Sequence, residues 1–324
     1  MLLRIQDLSA GFKVFEGLLR VLENVRLDIA KGEKVGLVGE TGCGKTTTVK
    51  AVLRVLPQPP ALIFGGEILF RGQDVLKMSN RSLRRNLRPF VSAIFQDPLQ
   101  ALNPVFTVGT QLMDIVHEWA AVSKKKISKR DMFEQCVEAL AQTGMPDPER
   151  IMRCYPIQLS GGMRQRVCIA AALVRPVELL LADEPTTNLD VTIQDQILRK
   201  LHELAREKGL SILFITHSLG VVMDLTERVY IMYAGTIVEE GRTEELFAKP
   251  MHPYTKALLQ CVPKLTGEGV SQGIPGRIPS YLEPPLGCRF RPRCAYAIDI
   301  CAQKSPVLLE MNNARRVACH LLEA

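Results

Sequence analysis

The segment Gly39-Glu40-Thr41-Gly42-Cys43-Gly44-Lys45-Thr46 follows the apolar run KVGLV and precedes a helical pattern that stops at Pro57. A strand end, a tight glycine turn and a helix start must succeed one another within a few residues, which leaves the local fold little freedom. The glycines let the backbone curl until successive N–H groups face one point, and the helix N-terminus adds a favourable field for an anion. The ligand expected there is a nucleoside triphosphate. Lys45 is expected to reach the β- and γ-phosphate oxygens and Thr46 to hold Mg²⁺ through its hydroxyl, with Thr47 on the same turn. Cys43 needs no role of its own, because a small residue is tolerated at that position.

A second acidic element suits such a site. The run ELLLAD, expected of a central parallel strand buried on both faces, ends on Asp183 and is followed by Glu184. Asp183 is expected to bind Mg²⁺ through water and Glu184 to polarise an attacking water. Around these motifs strand-like and helical patterns alternate. LLRIQDLSA, VLENVRLDI, EILF, SAIF and SILFIT read as strands. Ile193, Ile197, Leu201 and Leu204 predict a helix over 191–207, and Phe133, Cys136, Val137 and Leu140 another around 132–140. VYIMYAG and TIVEEG predict an antiparallel pair turning at Ala234-Gly235. The basic run from Lys124 to Arg130 reads as a solvated loop. The alternation predicts a mostly parallel α/β sheet.

Composition bounds the setting. The 324 residues carry 41 Lys plus Arg against 34 Asp plus Glu, a surplus of 7, too small to mark a nucleic-acid binder. No uncharged apolar stretch approaches the roughly 18 residues of a membrane span. MLLRIQDLSA contains Arg4 and Asp7 and lacks a small-residue cleavage site, so no signal peptide is expected. The nine cysteines are unevenly placed, with Cys288, Cys294, Cys301 and Cys319 in the last 37 residues. Their spacing, C-x5-C-x6-C-x17-C, matches neither the short zinc knuckles nor the common ferredoxin patterns. Spacing alone leaves a four-thiolate site whose metal is open between iron–sulfur and zinc, with reduced thiols as the remaining reading. Six prolines between Pro275 and Pro306 make residues from about 262 loop-rich, so the thiols would serve as a staple.

Leu159-Ser160-Gly161-Gly162-Met163-Arg164-Gln165-Arg166 opens an apolar helical run, and its Ser160 stands 23 residues before Asp183. This phrase resembles the signature of ATP-binding cassette (ABC) ATPases. Gln96 resembles that family's Q-loop glutamine, Asn188-Leu189-Asp190 its D-loop, and His217 its switch histidine at the γ-phosphate. The adenine-stacking aromatic is open between Phe12 and Phe15. The resemblance implies a P-loop NTPase ABC cassette, an α/β fold with a RecA-like mixed sheet core, an antiparallel β subdomain and a helical subdomain at about 107–175. It implies one nucleotide-binding domain over 1–261 and a small Cys-rich C-terminal appendage over 262–324. It also implies that ATP is sandwiched between this P-loop and Ser160, Gly161 and Gly162 of a second cassette, a copy or a paralogue. In that site Glu184, His217 and Gln96 act catalytically, Gln96 also faces Mg²⁺, and Asp190 lines the nucleotide.

FQDPLQALNPVFTVG (95–109), DEPTTNLDVTIQDQIL, ITHSLGVV, HPYTKALL and GCRFRPRC together resemble the ATP-binding subunits of oligopeptide/dipeptide ABC importers. Ser218 and Asn188 depart from the commoner Asp and Ala, at positions outside the chemistry. That resemblance implies peripheral attachment to the cytoplasmic face of a membrane. The implied partners are two permease subunits and, indirectly, a substrate-binding protein, with no nucleic acid. Oligosaccharide, nickel and glutathione importers share the pattern. Soluble ABC ATPases of iron–sulfur assembly or nucleic-acid processing are the remote reading. The resemblance further implies a [4Fe–4S] cluster on the four cysteines, with Zn²⁺ as the alternative. Arg289, Arg291 and Arg293 are expected to offset its negative charge.

Overall fold

The computed structural model describes residues 1–186, 190–261, 273–311 and 315–322. They form two compact units, one of residues 1–30, 34–76 and 214–324, the other of residues 31–33 and 77–213.

The first unit contains an antiparallel sheet built on β1 (Leu3–Val14), which pairs on one side with β2 (Gly17–Ile29) and on the other with β4 (Ala61–Phe70). The short β5 (Gln73–Asp74) closes its edge. Alternation buries Leu3 and Ile5 on one face of β1, and a register shift after Ile5 lets Leu8 and Ala10 resume that burial. Phe15 stands fully exposed at the β1–β2 hairpin, whereas Phe12 is half-buried within β1.

A second group of strands in this unit carries the glycine loop. β3 (Lys34–Val38) pairs in parallel with β9 (Arg228–Tyr233), and β9 pairs antiparallel with β10 (Thr236–Arg242) through the expected turn at Ala234-Gly235. Both turn residues have positive φ, 42° and 82°, the backbone a two-residue hairpin of this hand requires. β12 (Arg316–Val317) adds to the free edge of β10, and β11 (Leu309–Glu310) adds to β12. The C-terminal segment is loop-rich, as its prolines predict, but it is not loosely attached. Phe290 is 3% exposed and meets Tyr233 and Tyr254 edge-on, with ring centroids 5.0 and 5.4 Å away. A buried aromatic of this kind contributes roughly 2–3 kcal/mol from area alone.

The second unit holds the parallel pair β6 (Val91–Ile94) and β7 (Leu179–Asp183). Every residue of β7 is buried, as the unbroken apolar run predicts. The helices Val108–Val122, Lys129–Gln142 and Gly161–Leu173 share one core around Leu112, Val116, Cys136, Leu140 and Val167. Lys129 and Arg130 open the second of these helices, so the basic run is only partly loop. Ser128 explains this: its side chain accepts the Asp131 N–H at 3.1 Å and starts the helix three residues earlier than the apolar spacing shows. β8 (Ser211–Thr216) runs across the division of the chain. No helix among the described residues is long and apolar enough to cross a membrane.

Candidate active site

The first unit carries residues 39–47 and His217; the second carries Gln96, Ser160 to Gly162, Asp183, Glu184 and Asp190. Asn188 and Leu189 lie outside the described residues.

In the first unit β3 ends at Val38, and helix Lys45–Val52 begins six residues after Gly39. Gly39 passes so close to β9 that a Cβ there would lie 2.1 Å from the Met232 carbonyl oxygen. Gly44 caps the helix at φ 109°, a conformation that only glycine adopts without strain. No side chain caps this helix and no acid lies in its first turn. Its N-terminal field is therefore uncancelled, which favours an anion. Lys45 is 5% exposed, and its Nζ donates to the carbonyls of Gly39 at 2.7 Å and Glu40 at 3.0 Å. The buried ammonium is thus held across the mouth of its own loop. Thr46 is exposed at the helix start and Thr47 half-buried beside it. Cys43 is fully buried, and burial raises its thiol pKa, which fits the reading that it has no chemical role. His217 is exposed directly after β8.

In the second unit Asp183 ends β7 at 3% exposure. Glu184 follows with φ 46°, in the left-handed region, a costly conformation for a residue with a Cβ and one that clusters at functional sites. Two glutamines hold the loop that begins there. Buried Gln165 donates to the Pro185 carbonyl, and Gln194 donates to the Thr186 carbonyl at 2.9 Å. Sequence reading passed over both. The only signal was a glutamine at an apolar phase of the helix that Ser160 opens. Ser160 caps that helix by accepting the Met163 N–H at 3.3 Å, and Ser160 and Gly161 are exposed, so this second N-terminus is open to solvent. Asp190 caps helix Val191–Glu207 by accepting the Ile193 N–H at 2.9 Å. Gln96 is exposed just after β6.

The four C-terminal cysteines line one small, mostly apolar cavity of about 10 Å³, together with Phe290, Tyr296 and Leu321. The Cys288 N–H donates to the Cys301 carbonyl at 2.9 Å, which joins the first and third thiol segments. Burial pushes the Cys288 thiol up to about 11 and raises Cys294 as well. A cation arriving there would have to displace their protons. The described residues include no group of three or more His, Cys, Asp or Glu arranged to hold a metal ion. His320 Nε2 sits 2.8 Å from the Lys304 carbonyl, a backbone partner that competes with any metal for that nitrogen. The arginines do not behave as expected. Arg291 borders the cavity, but Arg289 bonds the Ala234 carbonyl and Glu23, and Arg293 bonds Glu40. Carboxylate and carbonyl groups nearby bind these buried guanidiniums more closely than protonated thiols can.

Comparison with known proteins places these features in a family. The model of the ABC transporter family matches residues 22–187, and that of the oligopeptide/dipeptide transporter C-terminal region matches residues 238–301. The oligopeptide transport ATP-binding protein OppD of Bacillus subtilis is 41% identical over 323 residues, covering 99% of this chain and 89% of its own. The dipeptide transport ATP-binding protein DppD of the same organism is 40% identical over 320 residues, covering 98% and 94%. Among solved structures, the dimeric post-hydrolysis state of the ATP-binding cassette MJ0796, bound to ADP and Pi, superposes with a TM-score of 0.66. It is 25% identical and covers 75% of this chain and 99% of its own.

Proposed function

Because the chain belongs to the ATP-binding proteins of oligopeptide/dipeptide ABC transporters, we propose that it powers the uptake of di- and oligopeptides through a membrane importer. It is an ABC-type ATPase. The observation that carries the reading is the glycine loop opening onto the uncapped helix Lys45–Val52 with Lys45 held at its mouth. That arrangement suits a polyphosphate.

The loop amides and Lys45 bind the β- and γ-phosphates. Thr46 and Asp183 would hold Mg²⁺, whose positive charge would offset the charge that develops on the phosphoryl oxygens. Gln96 and His217 flank the γ-phosphate. Water attacks the γ-phosphorus while the bond to ADP breaks, and its proton passes to the Glu184 carboxylate. Ser160, Gly161 and Gly162 present their helix N-terminus to ATP held by a second cassette, and Asp190 lines the same nucleotide. ATP then closes the pair and hydrolysis releases it, which drives the permeases.

Residues 95–109 grip the permeases from the cytoplasmic face. Leu99, Val105 and Phe106, each with half or more of its surface open, support this, because exposed apolar side chains gathered in one short segment mark an interaction site. A substrate-binding protein delivers the peptide from the other side. Phe106→Asp is expected to abolish co-purification with two permeases while leaving ATP binding intact; undiminished co-purification would place the docking surface elsewhere.

Cys288, Cys294, Cys301 and Cys319 are the residues that would hold a [4Fe–4S] cluster, which their lining of one cavity supports, although as they stand they are not arranged around a metal ion. The cluster would supply a cross-link between four chain positions, and ATP hydrolysis has no step that needs it. Anaerobically purified protein should be brown with a visible thiolate-to-iron band, and loading should strengthen as pH rises because the thiols must lose protons. Cys294→Ser should remove the band. A colourless wild type carrying stoichiometric zinc contradicts the cluster.

A further inference from the structure

The second residue of the glycine loop is an acid. A carboxylate at Glu40 would repel the polyphosphate that the loop is read as binding, unless its charge is compensated and turned aside. Arg293 does both. Its Nη1 lies 3.1 and 3.0 Å from the two Glu40 carboxylate oxygens, and the side chains are 4% and 27% exposed. The guanidinium is itself fixed from behind. Nε donates to the Pro275 carbonyl at 2.8 Å and Nη2 to the Ile274 carbonyl at 2.9 Å, and the group lies 5.7 Å from the Tyr233 ring centroid.

Three further contacts fasten the same loop. The Glu40 N–H donates to the Tyr254 hydroxyl at 3.0 Å, and the Tyr281 hydroxyl donates to the Gly42 carbonyl at 2.8 Å. The Cys43 carbonyl accepts the Gly235 N–H at 2.8 Å. The bonds to Gly42 and Cys43 occupy carbonyl oxygens that would oppose an anion, and all three fix a loop whose ordering would otherwise weaken binding.

Arg293 also belongs to the cysteine segment. It closes the turn Arg291–Arg293 between Cys288 and Cys294. That turn is tied by Arg291 N–H to Cys288 O at 3.0 Å, Arg293 N–H to Phe290 O at 2.9 Å and Cys294 N–H to Arg291 O at 3.2 Å. Whatever orders the two thiols therefore orders the guanidinium.

We propose that Arg293 is a positioning residue of the nucleotide site. It neutralises and holds Glu40, and so couples the cysteine segment to the affinity of the loop for nucleotide. This rests on the reading of residues 39–46 as an ATP site. The test measures the Kd of the full-length chain for a fluorescent ATP analogue, together with KM and kcat in the assembled complex.

Arg293→Ala should raise Kd and KM about tenfold, the usual scale of one charge-assisted bond, with kcat nearly unchanged. Arg293→Lys, which keeps the charge, should recover part of the loss even if the alanine variant fails to fold. In a Glu40→Gln background, with no charge left to offset, the same Arg293→Ala change should shift Kd less than twofold. An unchanged Kd in Arg293→Ala overturns the proposal, and so does an equal loss in both backgrounds, since a merely structural role would give that. Failure of wild type to bind the analogue at all would instead overturn the ATP reading.

Discussion

Replacing Glu184 with glutamine should slow ATP hydrolysis in the assembled transporter by about 10²–10⁴-fold while leaving ATP binding in place. The substitution keeps the size and the hydrogen-bonding shape of the side chain and removes only its ability to accept a proton from water. Two structural facts make the position hard to fill otherwise. Its backbone sits at φ 46°, and the loop that follows is held at Pro185 by Gln165 and at Thr186 by Gln194. A residue kept in a costly conformation by neighbouring bonds is pre-aimed, and pre-aiming is what proton transfer requires. Gln165→Leu should lower the rate as well, but less, because it loosens the support and leaves the carboxylate. If Glu184→Gln hydrolyses ATP as fast as wild type, Glu184 is not the base.

Arg315→Met should cost about 3–5 kcal/mol of stability, read as a lower urea midpoint. Arg315 pairs with Glu239 where β10 meets the C-terminal segment, with the two side chains 8% and 0% exposed. Glu239 also accepts the N–H groups of Met251 at 2.9 Å and His252 at 3.0 Å. Removing the cation leaves a carboxylate in an apolar setting with only amide partners. The double variant Glu239→Leu/Arg315→Met should recover part of the loss, because the expense lies in the unpaired charge more than in the absence of the pair. A single-variant cost below about 1 kcal/mol, the worth of an exposed pair, would mean that this pairing is open to water in solution.

Both predictions show what a linear sequence carries. The glycine loop was legible because its chemistry is contiguous, with strand, turn and helix all determined by neighbouring residues. The same holds for the hairpin at Ala234-Gly235 and for β7, where one unbroken apolar run ends on its acids. The helices Val191–Glu207 and Lys129–Gln142 followed from apolar spacing. The brace on the loop was not legible. Glu40 and Arg293 are 253 positions apart, and no periodicity links them. The arginines between the cysteines were read against the thiols because those were the nearest charges in sequence, whereas Arg289 and Arg293 reach carboxylates and carbonyls far along the chain. Phe290 was hidden in the same way, since a proline-rich stretch gives no pattern from which a buried aromatic can be read. Gln165 was masked by the phrase it belongs to, whose serine and glycines carry the phosphate signal.

The measurement closest to the central claim is ATP hydrolysis by this chain assembled with its second cassette and two permeases in a membrane, with a substrate-binding protein added with and without peptide. The account predicts that peptide-loaded binding protein stimulates hydrolysis severalfold, that the peptide accumulates on the far side, and that Glu184→Gln abolishes both. Hydrolysis indifferent to peptide, or peptide accumulation that persists in Glu184→Gln, would contradict it.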